Sequence, residues 1–241
     1  MSDYFDILPP MKTTPIYHRI AEAAARGQKL LAVLVDPDKF DPNHFAAVLR
    51  SRRFAEIDYV LVGGSFLSHH TDSCIAAIKE QSEKPVILFP GNACHVGTQA
   101  DAILLLSLIS GRNAEFLIGN HVTAAPFLKK SGIETISTGY MLIGNGNNTS
   151  VEYISNTRPI PSGKTDIATA TAIAGEMLGM KLIYLEAGSG ASQPVPDEMI
   201  RAISNACSCP VIVGGGIGTR DEMQRKFAAG ASMVVVGTAL E

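Results

Sequence analysis

The stretch VIVGGGIGTRDEM, residues 211–223, runs from three β-branched residues straight into three glycines. A fourth glycine follows two positions on, and a helix-compatible run comes after it. Glycine weakens a strand interior and leaves the main chain bare, so a triplet here marks a strand end that something approaches closely. The triplet alone admits two readings: tight turning, or an anion within reach of bare amides.

Seven other short apolar runs share the character of PVIVGGG (210–216). They are LLAVLVD (30–36), IDYVLVGG (57–64), PVILFPG (85–91), DAILLLS (101–107), IETISTGYMLI (133–143), KLIYLEAG (181–188) and SMVVVGT (232–238). Runs this continuously apolar suit parallel strands buried on both faces. Amphipathic, helix-permitting segments lie between most of them, at 42–50, 68–81, 113–130, 165–178, 196–206 and 219–229. Strand–helix alternation implies right-handed crossovers and a parallel sheet. Eight such strands in a chain of 241 residues predict an α/β fold, a closed (β/α)8 TIM barrel, with an open doubly wound sheet as the alternative. The whole chain, 1–241, reads as one barrel domain: a helix-bearing N-terminal extension at 1–29, then the barrel from 30 to 241.

Three departures from a regular barrel stand out. Only about ten residues separate the third and fourth strands, where a crossover needs roughly a dozen or more. The third helix is therefore expected to be missing, leaving a trench in the outer ring. Residues 138–164 are rich in Gly, Asn, Ser and Pro and could form a lid over the site. The chain stops at Glu241 just past the eighth strand, so the helix-like segment 15–27 or a second subunit is expected to cover the face of an eighth helix.

Apolar residues make up 46% of the chain, enough for a large core, and a net charge of −3 excludes a global basic field for nucleic acid. Cys74, Cys94, Cys207 and Cys209 form no CxxC pair, and no signal-like segment precedes the first polar residues, so reduced cysteines and a cytoplasmic location are expected. The longest apolar run, AILLLSLI (102–109), is too short to span a bilayer. GGGIGT lacks the last glycine of a dinucleotide fingerprint. SGKTD (162–166) has Arg158 where a P-loop needs glycine. The six histidines have no zinc spacing.

In such barrels the site lies at the carboxyl ends of the strands, with phosphate often held after strands seven and eight. GGGIGT and VVVGTALE (234–241) occupy those two places, and Thr219 would start a helix whose positive end lies nearby. At the end of strand six, YLEAGSG (184–190) would put Glu186 where substrate sits, as a proton acceptor from a hydroxyl or as half of an ion pair with a rim lysine. At the end of strand one, Asp36 either caps the next helix, a role Asp41 could also fill, or holds Mg2+ beside Ser65.

LVDPDKF, YVLVGGS, VILFPG, FLIGNHV, YLEAGSG, VGGGI and VVVGTALE, in this order from about residue 30 onward, resemble the geranylgeranylglyceryl phosphate synthase family, which includes bacterial heptaprenylglyceryl phosphate synthases. The resemblance implies a modified barrel whose third helix is replaced by an irregular segment, and a Mg2+-dependent prenyltransferase. That enzyme would join sn-glycerol 1-phosphate to a polyprenyl diphosphate such as geranylgeranyl diphosphate, giving an ether and diphosphate. Carried over by motif, Asp36 and Ser65 would hold the metal. Tyr184, Leu185, Glu186, Ala187, Gly188, Ser189 and Gly190 would wrap the glycerol phosphate, and Gly215, Gly216, Gly237 and Thr238 would bind its phosphate. Glu186, with Tyr184, would orient and deprotonate the attacking hydroxyl. The prenyl chain would lie in the trench, with Phe116 helping to set its length and Lys39 near the diphosphate. A homo-oligomer and transient membrane contact are expected. Another phosphate-binding barrel synthase or isomerase, or a barrel that only binds phosphorylated metabolites, is the competing reading.

Overall fold

The structure, a computed structural model, describes residues 15–49, 56–68, 71–93, 95–144 and 149–237. Eight parallel strands form a barrel: β1 (Leu30–Val35), β2 (Tyr59–Gly64), β3 (Val86–Pro90), β4 (Ala102–Leu108), β5 (Glu134–Gly144), β6 (Leu182–Glu186), β7 (Val211–Gly214) and β8 (Met233–Val236). Each pairs with the next, and β8 pairs with β1, Leu30 against Met233 through Val33 against Val236. That pairing closes the ring and rules out the open sheet.

Side chains alternate between two apolar environments. Tyr59, Leu61, Ile87, Phe89, Leu104, Tyr140, Tyr184 and Ile212 fill the interior. Val60, Val62, Leu88, Ile103, Leu185 and Val213 face the surrounding helices. Burial on both faces is why the strands read as unbroken apolar runs. The outer ring comprises α2 (Pro42–Leu49), α3 (Thr71–Gln81), α4 (Asn120–Ser131), α6 (Thr165–Met177), α7 (Asp197–Ala206) and α8 (Arg220–Ala229). In α7, Met199, Ile200 and Ile203 form the buried stripe expected of a helix lying on a sheet. A π-helical turn, Glu115–Gly119, leads into α4, which stops at Gly132 in the left-handed conformation, φ 69°.

The N-terminal helix α1 (Ile16–Ala25) does not stand in for an eighth outer helix. Its stripe of Ile16, Ile20 and Ala23 belongs to the interior cluster, so it plugs the amino-terminal mouth of the barrel. Glu134, the first residue of β5, fixes it there by accepting hydrogen bonds from the N–H groups of Ile16 (2.6 Å) and Tyr17 (2.9 Å). A carboxylate at a helix N-terminus satisfies amides with no intrahelical partner.

Among the described residues no helix joins β3 to β4; residues 91–93 and 95–101 are turns, bends and irregular backbone. Asp101 anchors the return, accepting from the Val86 N–H and from Lys79 Nζ, both at 2.7 Å. The segment read as a lid is partly strand: β5 continues to Gly144, and Ile160–Pro161 pairs beside its end. Between them lies the short α5 (Ser150–Ser155), capped by Thr149, whose hydroxyl accepts from the Glu152 N–H.

Candidate active site

Glu186 ends β6, in register with Leu142 of β5 and Gly214 of β7. Strand alternation turns Tyr184 into the barrel, whereas Leu185 and Ala187 face the helices and can offer substrate only their main chain. Glu186 is 6% exposed, and its Oε1 accepts a hydrogen bond from the Gly188 N–H at 2.7 Å. It forms no ion pair among the described residues, so the reading of a rim salt bridge falls. Burial pushes its carboxyl up to about 7, partly offset by the Gly188 N–H and the neighbouring Tyr184 hydroxyl. A carboxyl balanced near neutrality is suited to accept a proton and give it up again.

Tyr184 is fully buried, and its hydroxyl makes no well-formed hydrogen bond among the described residues, although it lies close enough to Glu186 to favour the carboxylate. Burial, and then the nearby Glu186, hold the phenol well above its ordinary pKa. Its ring packs against Phe89 at 5.3 Å and Tyr140 at 5.4 Å between centroids, flooring the site with three aromatic rings. Tyr140 was not among the sequence candidates, and Phe89 was read only as part of VILFPG beside the trench. The signal that could have found them is the interior phase of their strands.

The glycine triplet is approached first by the protein itself. A Cβ on Gly215, φ +82°, would overlap Glu186 Oε1 and lie 2.7 Å from the Gly188 nitrogen; one on Gly214 would overlap the Tyr184 hydroxyl. The anion reading is therefore only half of the answer: the missing side chains make room for the Glu186 carboxylate and its loop. Space for a ligand remains at Gly190 and Gly237, where an added Cβ would meet nothing within 4 Å. No hydrogen bond among the described residues uses the N–H groups of Ser189, Gly190 or Gly216, which leaves amides for an oxyanion. Thr219 does cap α8, but the N–H groups of Gly218 and Thr219 are taken by Glu222 Oε2 at 2.9 and 3.1 Å. The start of that helix is thus satisfied internally. Thr238 lies outside the described residues.

Asp36 and Ser65 follow the adjacent ends of β1 and β2, where Val35 pairs with Val62. Capping of α2 falls to Asp41, whose Oδ1 accepts from the Asn43 N–H at 2.8 Å. Asp36 is left half-buried at the mouth, accepting from the Asp38 N–H at 3.0 Å and pairing with Lys39 Nζ at 3.2 Å. The described residues contain no cluster of three or more His, Cys, Asp or Glu able to hold a metal unaided. One carboxylate and one hydroxyl, both hard oxygen donors, fit Mg2+ when substrate phosphates complete its shell.

Where the third helix is absent lies a cleft with Ser65 and Tyr140 among its lining residues, about 770 Å3 of space open to solvent. Its walls are largely apolar, with Leu105, Leu106, Leu108, Phe116, Ala124 and Leu128 among them. Phe116 therefore sits where the sequence reading put it, and Lys39 instead engages Asp36. Polar edges come from Asn120, which accepts from the Ala93 N–H at 3.2 Å, and His121, whose Nε2 lies 2.8 Å from the Leu106 carbonyl and so carries the proton.

The fold and site define a closed parallel barrel with a buried carboxylate at the end of β6 and a largely apolar cleft that reaches Tyr140 of the aromatic floor. The family model described as the PcrB family matches residues 24–241, and the chain belongs to that family. It is 52% identical over 216 residues to the geranylgeranylglyceryl phosphate synthase of Spirosoma linguale, covering 89% of this chain and 87% of that protein. With the Chitinophaga pinensis synthase of the same name it shares 49% over 227 residues, covering 94% and 90%. The crystal structure of (S)-3-O-geranylgeranylglyceryl phosphate synthase from Thermoplasma acidophilum, in complex with sn-glycerol-1-phosphate, matches with a TM-score of 0.88 at 31% identity, over 95% of this chain and 92% of that one.

Proposed function

We propose that this barrel is a prenyltransferase that joins sn-glycerol 1-phosphate to a polyprenyl diphosphate, geranylgeranyl diphosphate being the first candidate, and releases diphosphate. The observation that carries the reading is the apolar cleft. It lies beside the helix-free β3–β4 connection and includes in its lining Ser65 and Tyr140, whose ring packs on that of Tyr184, two residues before the buried Glu186. A sugar-phosphate isomerase has no use for such a groove. Each buried CH2-sized unit of a prenyl chain contributes about 0.8 kcal/mol there.

Glycerol 1-phosphate would lie over residues 184–190, its phosphate on the free amides of Ser189, Gly190 and Gly216 and beside Gly237. The Glu186 carboxylate accepts the proton of a glycerol hydroxyl. That oxygen forms a bond to the first prenyl carbon as the bond from that carbon to the diphosphate oxygen breaks, and the electron pair leaves with diphosphate. Apolar walls exclude water from the carbon that gains positive character. Mg2+, held by Asp36 and Ser65, would supply neutralising charge for the leaving diphosphate. A cytoplasmic homo-oligomer with transient membrane contact completes the proposal; exposed Phe66, Tyr153 and Ile154 supply apolar surface for either kind of contact.

The test is incubation with Mg2+, labelled glycerol 1-phosphate and prenyl diphosphates of several lengths, followed by product mass. An ether of defined chain length is expected. Absence of any ether with every donor would refute the assignment.

A further inference from the structure

A second concavity lies on the same, carboxyl-terminal face of the barrel and takes no part in the proposed reaction. Ser110, Gly111, Arg112, Asn113, Asn156, Thr157 and Arg158 line it. No acidic residue is among them, although the chain as a whole carries a net charge of −3. Neither arginine has a carboxylate partner among the described residues. Arg112 is oriented by its own loop, donating from one guanidinium nitrogen to the carbonyls of Ile109 (3.2 Å) and Gly111 (2.7 Å), and Arg158 makes no hydrogen bond or ion pair among the described residues.

The walls are built rather than merely present. Asn113 Nδ2 donates to the Ser155 carbonyl at 2.7 Å, and the hydroxyls of Ser155 and Thr157 share a hydrogen bond of 2.8 Å. Ser110 Oγ accepts from the Leu142 N–H at 3.0 Å. Asn156 is the sole described non-glycine residue with positive φ, 50°, and this turn brings Thr157 back against Gly111. A non-glycine residue in that region is sparsely populated and worth explaining.

We propose that this concavity is an oxyanion site that takes a phosphate or diphosphate group between Arg112 and Arg158, either free in solution or as a lipid headgroup. Guanidinium forks match such oxygens, and two cations without a counter-ion in a polar hollow form the complementary surface. Occupancy bears on the reaction because α5 lies between the two sites. Val151 and Ile154 of α5 line the apolar cleft, Asn156 at its end lines the arginine hollow, and Thr149 at its start abuts Gly188. An anion on the arginines steadies α5 against the cleft.

The test uses the whole protein saturated with glycerol 1-phosphate. A tungstate soak, read by anomalous scattering, should place one anion in the hollow. Titration with inorganic diphosphate should show a site weakened about tenfold or more by Arg112→Ala or Arg158→Ala and less by Arg158→Lys, with glycerol 1-phosphate affinity unchanged. Sedimentation with phosphatidylglycerol and with phosphatidylcholine vesicles separates the sources: arginine-dependent retention on the anionic vesicles alone identifies a headgroup, and its absence identifies the free anion. The proposal is overturned if no anion enters the hollow, if crystal binding has no arginine-dependent counterpart in solution, or if the variants lose glycerol 1-phosphate binding in parallel.

Discussion

The Glu186 carboxylate occupies the space that a side chain on Gly215 would need: a Cβ there would overlap Oε1 and press on the Gly188 nitrogen at 2.7 Å. The glycine just past β7 and the acid that ends β6 are therefore one device. Gly215 also adopts φ +82°, where an L side chain is strained. Gly215→Ala should destabilise the fold by about 2–4 kcal/mol, strain and overlap together. It should also displace Glu186, so turnover should fall by more than the loss of stability explains. Thermal melting compared with steady-state kinetics at a temperature where the variant is folded checks both.

Removal of the acid itself separates chemistry from shape. Glu186→Gln keeps the volume and should lower kcat about 10²–10⁴-fold, the range of general base catalysis. The folded-state pKa of about 7 places the rise of wild-type activity with pH near neutrality, because the base acts ionised. Initial rates from pH 5 to 9 should show this rise in the wild type and a flat profile in the variant. An unchanged profile in the variant would remove Glu186 from the proton transfer.

The same burial sets a stability trend of opposite sense. Glu186 has a folded pKa of about 7 against an ordinary 4.5, so between those values the unfolded chain has lost a proton that the folded chain keeps. Its contribution is fully present below about pH 4.5 and is lost as pH rises through about 7, a change on the order of 3 kcal/mol. Denaturant melts across this window should show Glu186→Gln gaining on the wild type as pH rises.

The cleft makes a prediction specific to one substrate. Leu105→Asn buries an amide among apolar walls and should weaken prenyl diphosphate binding by about 1–3 kcal/mol, roughly 5- to 150-fold in KM. Binding of glycerol 1-phosphate, measured by calorimetry without the donor, should be unchanged. Equal loss of both would assign the cleft a purely structural role.

Chelation should abolish turnover, and Asp36→Asn should shift the Mg2+ dependence to concentrations at least tenfold higher while leaving the melting temperature within a few degrees. Glu134→Ala gives the contrasting case, far from the chemistry. It frees two amide groups of α1 and should cost about 1–3 kcal/mol of stability with kcat preserved.

Much of this was legible in the residues. Eight apolar runs separated by amphipathic segments specify a parallel α/β sheet and favour a closed barrel, because both features depend on local periodicity and composition. The absent third helix follows from chain length alone: the residues between β3 and β4 are too few for a crossover helix. Motif order, from LVDPDKF to VGTALE, carried the family. Position along a strand was enough to place Glu186 and Asp36 at the mouth.

Other properties could not be read locally, since they arise where distant residues meet. Residues 15–27 read plainly as helix-forming, and Ile16–Ala25 are helical, but that this helix plugs the bottom of the barrel depends on a carboxylate 118 positions away. The glycine triplet signalled close approach without naming the visitor; packing of β6 on β7 made that visitor Glu186. Composition assigns a glutamate an ordinary acidity, and only enclosure by the barrel raises it towards neutrality. Sequence thus determined the elements and the chemical groups available. Tertiary structure decided which groups touch and how dry they are, because proximity and desolvation belong to the folded chain and to no single stretch of it.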